Sequence, residues 1–391
     1  MLLNLQLTAR APLAFARTKP GAQFRQSLPY VPGAALFGAL AQILEQRGEL
    51  KIELLREVIC HNAYPAMQDD VWSRPYPATA LKPKGQPNAH AFDALVGRVC
   101  WEHMQPAALQ FTTDTYQVAE GCYTFTDTPN QAGYYHQGQL AERKVEQRVL
   151  TRVAINRRRG TAEDARLYSP LVLSEVTQGA PTQFLGTLVL PGELANLLAA
   201  QRILYLGGRQ SSGLGKVQVC TTQSQVEDAA AIKQRVGALT RRFQVQVQRY
   251  DALHGEHTPW PIDDGTIFTL NLLSDAILFQ QGWLPTNVID AAMLREETGI
   301  HATCIRAFTT PTMIGGWNVT WQKPKPTAIA TALGSLFVFQ ANEPLSDSQY
   351  QALADLQARG IGERRQEGYG QIRICDEFHL LDETISEPKE G

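Results

Sequence analysis

The sequence lacks the features that would place it in a membrane or on a secretory route. It has no run of about 18 consecutive apolar residues, which excludes a membrane-spanning helix. Its N-terminus alternates Leu3, Leu5 and Leu7 with polar residues and carries no basic leader, a pattern that predicts a β-strand rather than a signal peptide. We therefore expect a cytoplasmic protein that does not contact a membrane.

Cysteine is sparse and widely spaced. The six cysteines lie at positions 60, 100, 122, 220, 304 and 375, and none forms a CxxC motif. This spacing does not indicate a disulfide framework or a redox pair, and it predicts buried small apolar side chains instead. A weaker set of zinc-type donors matches no zinc motif in its spacing; it comprises Cys60, His61, His90, Cys100 and His103. We predict neither a metal nor another cofactor.

An excess of positive charge is also missing. The 36 basic and 38 acidic residues give a net charge of −2, which does not indicate a freestanding nucleic-acid-binding domain, because such domains are usually strongly basic. Positive charge is concentrated locally between 142 and 159, in Arg143, Lys144, Arg148, Arg152, Arg157, Arg158 and Arg159. Such a run can follow a phosphate backbone, although a solvated basic loop would have the same composition.

What the sequence does contain is an internal repeat. Segments 207–219 and 362–374 both read G-x-R-x-x-x-G-x-G and then alternate Val or Ile, with each position displaced by 155 residues. In each half a strand and a helix precede the loop, a strand follows it, and the half opens with a strand and an amphipathic helix. This order predicts an α+β protein of two ferredoxin-like domains with glycine-rich loops.

The repeat also predicts the domain boundaries. The 391 residues suffice for two or three domains, each able to bury its own core. We predict an N-terminal domain over 1–225, a helical connector and linker over 226–262, a C-terminal domain over 263–382 and a polar tail over 383–391.

The first glycine loop is not a nucleotide-hydrolysis motif. Leu214 and Gly215 precede Lys216, no Ser or Thr follows it, and the loop opens a strand rather than a helix, which excludes Walker A and Rossmann loops. The loop still suits a phosphate chain, because glycines let backbone N–H groups come close to an anion. A tight turn would explain the glycines equally well. We favour that interpretation for the second loop, which carries Glu363 and Glu367.

Several further segments resemble the RAMP proteins of CRISPR effector complexes, whose hallmark is a glycine-rich loop between the last helix and the last strand of an RNA-recognition-like fold. The resemblance covers nearly the whole chain. It is strongest to the two-domain RAMP subunit of subtype III-D complexes, a group similar to the subunit that caps the 5′ end of the crRNA. The segments that carry it are 31–33, 36–40, 62–65, 151–161, 315–318 and 360–365.

The resemblance implies a non-catalytic subunit of a ribonucleoprotein in antiviral defence. Such a subunit caps the 5′ handle of the guide crRNA, docks to the polymerase-like large subunit and the backbone RAMP subunits, and meets target RNA only indirectly. Ala34 and Phe37 depart from the family pattern, which often has a hydroxyl and a basic residue there.

The predicted RNA-binding residues combine the first glycine loop, the basic run, one lysine and one aromatic ring. Phosphate contacts and stacking of splayed bases are how single-stranded RNA is bound. The residues are Arg209, Gln210, Ser211, Ser212, Gly213, Gly215, Lys216, Arg152, Asn156, Arg157, Arg158, Arg159, Lys82 and Tyr64.

The alternative hypothesis is a metal-independent endoribonuclease that processes precursor crRNA, since some RAMP proteins use His, Tyr or Lys as acid and base. The candidates would be His61, Tyr64, Lys82, Lys84, His90 and His301. No nucleophile with a recognisable base partner and no metal-binding carboxylate pair is apparent, so we predict no catalytic residues. A scaffolding protein that never touches RNA is a third hypothesis, and crosslinking of bound RNA would distinguish it.

Overall fold

The computed structural model describes most of the chain. The described residues are 1–15, 27–49, 52–66, 72–83, 91–104, 115–119, 122–127, 134–136, 145–156, 161–253, 260–318 and 323–381. The predicted polar tail, 383–391, lies outside them. Within these ranges no helix is both long enough and apolar enough to cross a membrane.

Helices form where apolar residues recur at helical spacing and capping groups mark the ends. They are α1 (Gly33–Arg47), α2 (Ile52–Arg56), α3 (Leu95–Met104), α4 (Gly192–Ala200), α5 (Ala229–Leu253), α6 (Ala291–Thr298) and α7 (Asp347–Arg359). Helix α7 begins at a capping box, in which the Ser346 side chain accepts the N–H of Gln349 and the Gln349 side chain accepts the N–H of Ser346. It ends at Gly360, whose φ is 74°.

The strands of the first half precede α5. They are β1 (Leu2–Ala9), β2 (Ile59–Cys60), β3 (Tyr64–Pro65), β4 (Ser73–Pro75), β5 (Ala80–Pro83), β6 (Phe92–Asp93), β7 (Thr115–Ala119), β8 (Cys122–Asp127), β9 (Tyr134–His136), β10 (Gln147–Val149), β11 (Arg152–Asn156), β12 (Thr161–Tyr168), β13 (Leu171–Leu173), β14 (Val176–Thr177), β15 (Ala180–Pro181), β16 (Gln183–Val189), β17 (Ile203–Tyr205) and β18 (Lys216–Gln223).

The strands of the second half follow α5. They are β19 (Ile267–Leu272), β20 (Leu278–Gln280), β21 (Leu284–Thr286), β22 (Ala302–Phe308), β23 (Pro311–Ile314), β24 (Trp317–Asn318), β25 (Lys323–Pro324), β26 (Ala328–Thr331), β27 (Leu336–Ala341) and β28 (Ile372–Ile374). Short 3-10 turns occupy Gln210–Ser212, Arg365–Glu367 and Glu377–Leu380.

Each half is built around an antiparallel sheet, and the order β18-β1-β16-β2 in the first corresponds to β28-β19-β27-β22 in the second. The first sheet runs β17-β18-β1-β16-β2, and the second runs β22-β27-β19-β28. In both halves the opening strand lies between the strand before the last helix and the strand after the glycine loop. The predicted α+β class is confirmed, because helices and antiparallel sheets alternate along both halves.

The first core explains the alternation at the N-terminus. Leu3, Leu5 and Leu7 are buried with Leu36 of α1 and Leu194 of α4, while the intervening polar residues of β1 lie on the other face of the sheet. Burial of one face fixes the strand register, because a shift by one residue would expose all three leucines.

The second core extends beyond the predicted C-terminal domain. Ile232, Leu239 and Phe243 of α5 are fully buried against the second sheet, and Leu95 and Cys100 of α3 join the same cluster. Helix α5 is therefore part of the second core, and α3 crosses from the first half of the sequence to complete it.

Candidate RNA-binding site

The two glycine loops have the same backbone conformation. Arg209 and Arg364 both adopt left-handed φ values, 61° and 57°. Each precedes a 3-10 turn that is closed by a left-handed glycine, Gly213 at 81° in the first loop and Gly368 at 88° in the second. The repeat in the sequence is therefore a repeat in the backbone, and any difference in what the loops bind arises from side chains and surroundings.

The first loop is presented to solvent. Gly208, Ser211, Gly213 and Lys216 are all exposed. A Cβ added to Gly213 would meet no atom within 4 Å, so the space in front of this glycine is open. The N–H of Gly213 itself donates to the Gln210 carbonyl at 3.0 Å. The groups that this space offers to an anion are therefore the exposed side chains of Ser211 and Lys216.

The base of the same loop is anchored. A Cβ on Gly207 would lie 2.5 Å from the carbonyl oxygen of Ala14, and one on Gly215 would lie 2.4 Å from that of Leu206. The side-chain amide of Gln210 donates to the Gly207 carbonyl at 3.1 Å. Because these contacts fix the two ends of the turn, the exposed middle of the loop is held in one shape.

A second cation lies beside Lys216 and was not predicted from the sequence. The N–H of Arg10 donates to the Lys216 carbonyl at 2.9 Å, and its Nε donates to Oε1 of Gln218 at 3.1 Å. Arg10 is exposed at the end of β1. Arg10 lies next to Lys216, more than 200 positions away in sequence, because β1 pairs with β18. The one feature of the sequence that could have indicated this role for Arg10 is that a basic residue ends the alternating strand.

The other predicted residues lie elsewhere. Lys82 is half-buried on β5, which belongs to a different sheet from the first loop. The backbone of Arg152 and Asn156 forms the two ends of β11, paired with β12. The basic residues that follow, Arg157, Arg158 and Arg159, lie outside the described residues. The structure therefore brings together the predicted residues of the first loop and does not bring Lys82 to them.

Tyr64 is not placed to stack on a base. Its side chain is buried, with an exposed fraction of 4%. Its hydroxyl donates to the carbonyl of Leu273, which follows β19 in the other half of the chain. Its ring packs against Tyr30, with centroids 5.4 Å apart. The predicted role in RNA binding is corrected accordingly, because an aromatic ring enclosed between the two halves offers no free face.

The second glycine loop is docked against the first half of the molecule. A Cβ on Gly33, the first residue of α1, would lie 2.7 Å from the Cα of Gly368 and 1.8 Å from the carbonyl oxygen of Cys60. The N–H of Gly33 is satisfied by Oδ1 of Asn62 at 2.9 Å. The N-terminus of α1 could in principle attract an anion, but here the second loop and a side-chain amide cover it.

The charges of the second loop are paired within the protein. Glu367 accepts hydrogen bonds from Arg364 and Lys325 at 2.6 and 2.7 Å. Burial alone would raise the pKa of Glu367, but these two partners lower it. Arg365 pairs with Glu297 at 2.9 Å. The second loop therefore offers little net positive charge, whereas the first loop carries no acid.

Among the described residues, the two candidate histidines of the ribonuclease hypothesis lie in different environments. His61 is buried, its Nδ1 lies 2.7 Å from the Thr187 hydroxyl, and burial lowers its pKa to about 4. His301 is exposed. Lys84 and His90 lie outside the described residues.

The metal-type donors are also dispersed. Within the described ranges no cluster of three or more His, Cys, Asp or Glu side chains could hold a metal ion. Cys60 and Cys100 are buried free thiols in separate cores. Of the zinc-type donors considered from the sequence, Cys60 and Cys100 thus lie in different cores, and His90 lies outside the described residues.

Comparison with known families supports a CRISPR context. Residues 192–377 match the family described as CRISPR-associated protein (Cas_Cmr3). The matched segment begins at α4 and contains both glycine loops and the second sheet. No curated protein matches the chain. The match spans just under half of the chain and shows that this part is similar to a CRISPR-associated family.

Several solved structures are similar to the chain at low TM-scores and low sequence identity. One is a chain of the type III-B Cmr-beta complex bound to cognate target RNA and AMPPnP, with a TM-score of 0.43, 11% identity, and coverage of 90% of this chain and 93% of that one. Another, from Cmr-beta bound to cognate target RNA, has a TM-score of 0.42, 11% identity, and coverage of 94% and 96%. A Cas6 product complex has a TM-score of 0.28, 12% identity, and coverage of 51% and 81%.

Proposed function

We propose that the chain is a non-catalytic crRNA-binding subunit of a type III CRISPR effector complex, of subtype III-D. In this proposal its two ferredoxin-like RAMP domains cap the 5′ handle of the guide RNA and dock to the large subunit and the first backbone subunit. The observation that carries the proposal is that two loops with the same backbone conformation differ in exposure and in charge. The first is exposed and cationic, and the second is docked and charge-paired.

The chemistry of the first loop suits the backbone of RNA. Gly213 leaves open space beside the loop in which a phosphate can lie, and Ser211 adds an exposed hydroxyl. Lys216 and Arg10 supply two cations on the neighbouring strands. When these cations neutralise phosphates, counterions are released from the RNA, which favours binding. Because the contacts are to phosphates, they do not depend on the sequence of the RNA.

The test is to purify a tagged chain from cells that express it from its own locus. We expect the large subunit and small RNAs with one common repeat-derived 5′ end to copurify. The double variant Arg10→Glu and Lys216→Glu should lose the RNA, because both charges would then repel phosphate. Lys323→Glu is the matched control, since it reverses an exposed lysine far along the chain on β25. Retention of RNA by the double variant at the wild-type level would refute the proposal.

The non-catalytic part of the proposal has its own test. Purified protein incubated with precursor crRNA should leave it intact, since the buried His61 cannot reach a 2′-hydroxyl. A discrete product that disappears in the exposed-histidine variant His301→Ala would favour the ribonuclease alternative instead.

A further inference from the structure

An exposed aromatic ring lies at the edge of the first sheet. Tyr205 ends β17 and has an exposed fraction of 49%, whereas its neighbour Leu204 has only 4%. This alternation places the tyrosine ring on the solvent side of the sheet. A ring so exposed contributes little to the core, so packing does not explain it.

Tyr205 shares a row of the sheet with the two cations described above. It pairs directly with Lys216 on β18, and the Lys216 carbonyl in turn accepts the N–H of Arg10 at the end of β1. Directly paired residues of antiparallel strands project to the same face. The result is a row of one aromatic ring and two positive charges across three strands.

The row is joined to the first glycine loop. The side-chain amide of Gln210 donates to the Tyr205 carbonyl at 3.2 Å and to that of Gly207 at 3.1 Å. One side chain therefore ties the end of β17 to the start of the loop, so the ring keeps a constant position relative to the exposed glycine, Gly213.

The second half of the molecule provides an internal comparison. By the repeat spacing of 155 residues, Gly360 takes the place of Tyr205, and Gln371 takes the place of Lys216. Helix α7 runs directly into Gly360 with no strand equivalent to β17. Tyr205, Lys216 and the extra edge strand thus occur together beside the exposed loop and have no equivalents beside the docked one. The aromatic residue of the docked loop, Tyr369, takes the place of Leu214, and its ring lies under Arg364 of the same loop at 5.0 Å.

We propose that Tyr205 is a stacking platform for one base of single-stranded RNA, whose flanking phosphates lie on Lys216 and the first glycine loop. This inference rests on the proposed function and adds a residue and a mode of contact to it. Stacking is tolerant of sequence because every base has an aromatic face, and cations beside the ring hold the strand against it. The platform would position a splayed base without reading its identity.

The test is the affinity of the full chain for a fluorescent single-stranded RNA of about 12 nucleotides, measured by anisotropy. Tyr205→Ala should weaken binding by about 5-fold to 100-fold, the range expected for one stacked base. Tyr205→Phe should stay within about 2-fold of wild type, because a phenyl ring also stacks. Melting temperatures of both variants should match wild type, since the ring is half-exposed.

Salt dependence separates stacking from charge. Tyr205→Ala should weaken the affinity for RNA by the same factor at about 50 mM and at about 200 mM salt. Lys216→Gln should instead lower the slope of log affinity against log salt concentration by about 0.7. Wild-type affinity in Tyr205→Ala, or a loss in Tyr205→Phe as large as in Tyr205→Ala, would overturn the platform alone. A wild-type chain that binds no RNA even at low salt would overturn the proposed function, and the platform with it.

Discussion

Gly213 and Gly368 show how surroundings give one backbone conformation two different roles. Both have φ values above 80°, yet a side chain on Gly213 would meet open space. On Gly368 it would lie 2.6 Å from the Cys60 carbonyl oxygen and 2.9 Å from the Cα of Gly33. At the first position glycine is required by its dihedral angle, and at the second also by the contact between the two halves.

This contrast predicts unequal losses of stability. Gly213→Ala should cost about 1 to 2 kcal/mol, because only left-handed strain is added. Gly368→Ala should cost about 1 to 3 kcal/mol more, since backbone atoms of the other half must move. Urea unfolding of the two variants provides the comparison. Equal midpoints would show that the second loop is not held as tightly as its contacts indicate.

His61 predicts a dependence of stability on pH. Burial lowers its pKa from 6.5 to about 4 in the folded protein. Between these values only the unfolded chain binds the proton, so stability falls as the pH falls. Wild type should lose about 2 kcal/mol more than His61→Gln between pH 7 and about pH 5. Denaturant unfolding at both values measures the difference, and parallel losses in the two proteins would contradict it.

At the scale of elements, α5 is joined to the last strand by a shared carboxylate. Glu227, just before α5, accepts from Arg235 of α5 and from Arg373 of β28, each at 2.6 Å. Burial alone would raise the pKa of Glu227, but the hydrogen bond from Arg235 and the charge of Arg373 lower it to about 2. Glu227 therefore bridges two largely buried guanidinium groups, and Glu377 provides a second acid beside both of them.

Removing that acid should be costly. Glu227→Gln removes one of the two acids that contact these arginines, while Glu377 still pairs with Arg373. We expect a loss of about 1 to 3 kcal/mol in the free energy of unfolding, because the substitution breaks hydrogen bonds between charged groups. Lys233→Gln is the control on the same helix, because it breaks an exposed pair with Asp347 and should leave stability nearly unchanged. Similar unfolding curves for the two variants would argue against a structural role for the cluster.

At the scale of the whole molecule, one apolar core draws residues from both sides of the predicted boundaries. Helix α3 from the first half and α5 between the halves both pack into the second core. Arg74 of β4 also pairs with Asp376 and Glu377 beyond β28. The first half therefore contributes both apolar surface and charge to the second.

This sharing predicts the behaviour of fragments. The fragment 263–382 lacks α3 and α5 and should expose Phe268 and neighbouring apolar residues, bind a hydrophobic dye and melt without cooperativity. The fragment 226–382 restores α5 and should bind less dye, though more than the intact chain. Circular dichroism and dye fluorescence measure both properties. Cooperative melting of 263–382 at the temperature of the intact chain would disprove the shared core.

Much of the local structure follows from the order of residues alone. Alternation at Leu3, Leu5 and Leu7 indicates a strand, and the capping box at Ser346 marks the start of α7, because both depend on neighbours in sequence. The glycine repeat likewise predicts two turns of the same shape, because a positive φ angle is a local property of the backbone that glycine adopts most easily.

Long-range packing distinguishes the two turns and determines whether an aromatic residue is buried or exposed. The docking of Gly368 on Gly33, the enclosure of Tyr64 and the meeting of Arg10 with Lys216 each join positions that are far apart in the chain. The hydrophobic pattern of the sequence does not predict these contacts, because it indicates which face of an element is apolar and not which other element packs against that face. Burial and charge pairing, which set apart the exposed loop from the docked one, arise only when the two halves pack together.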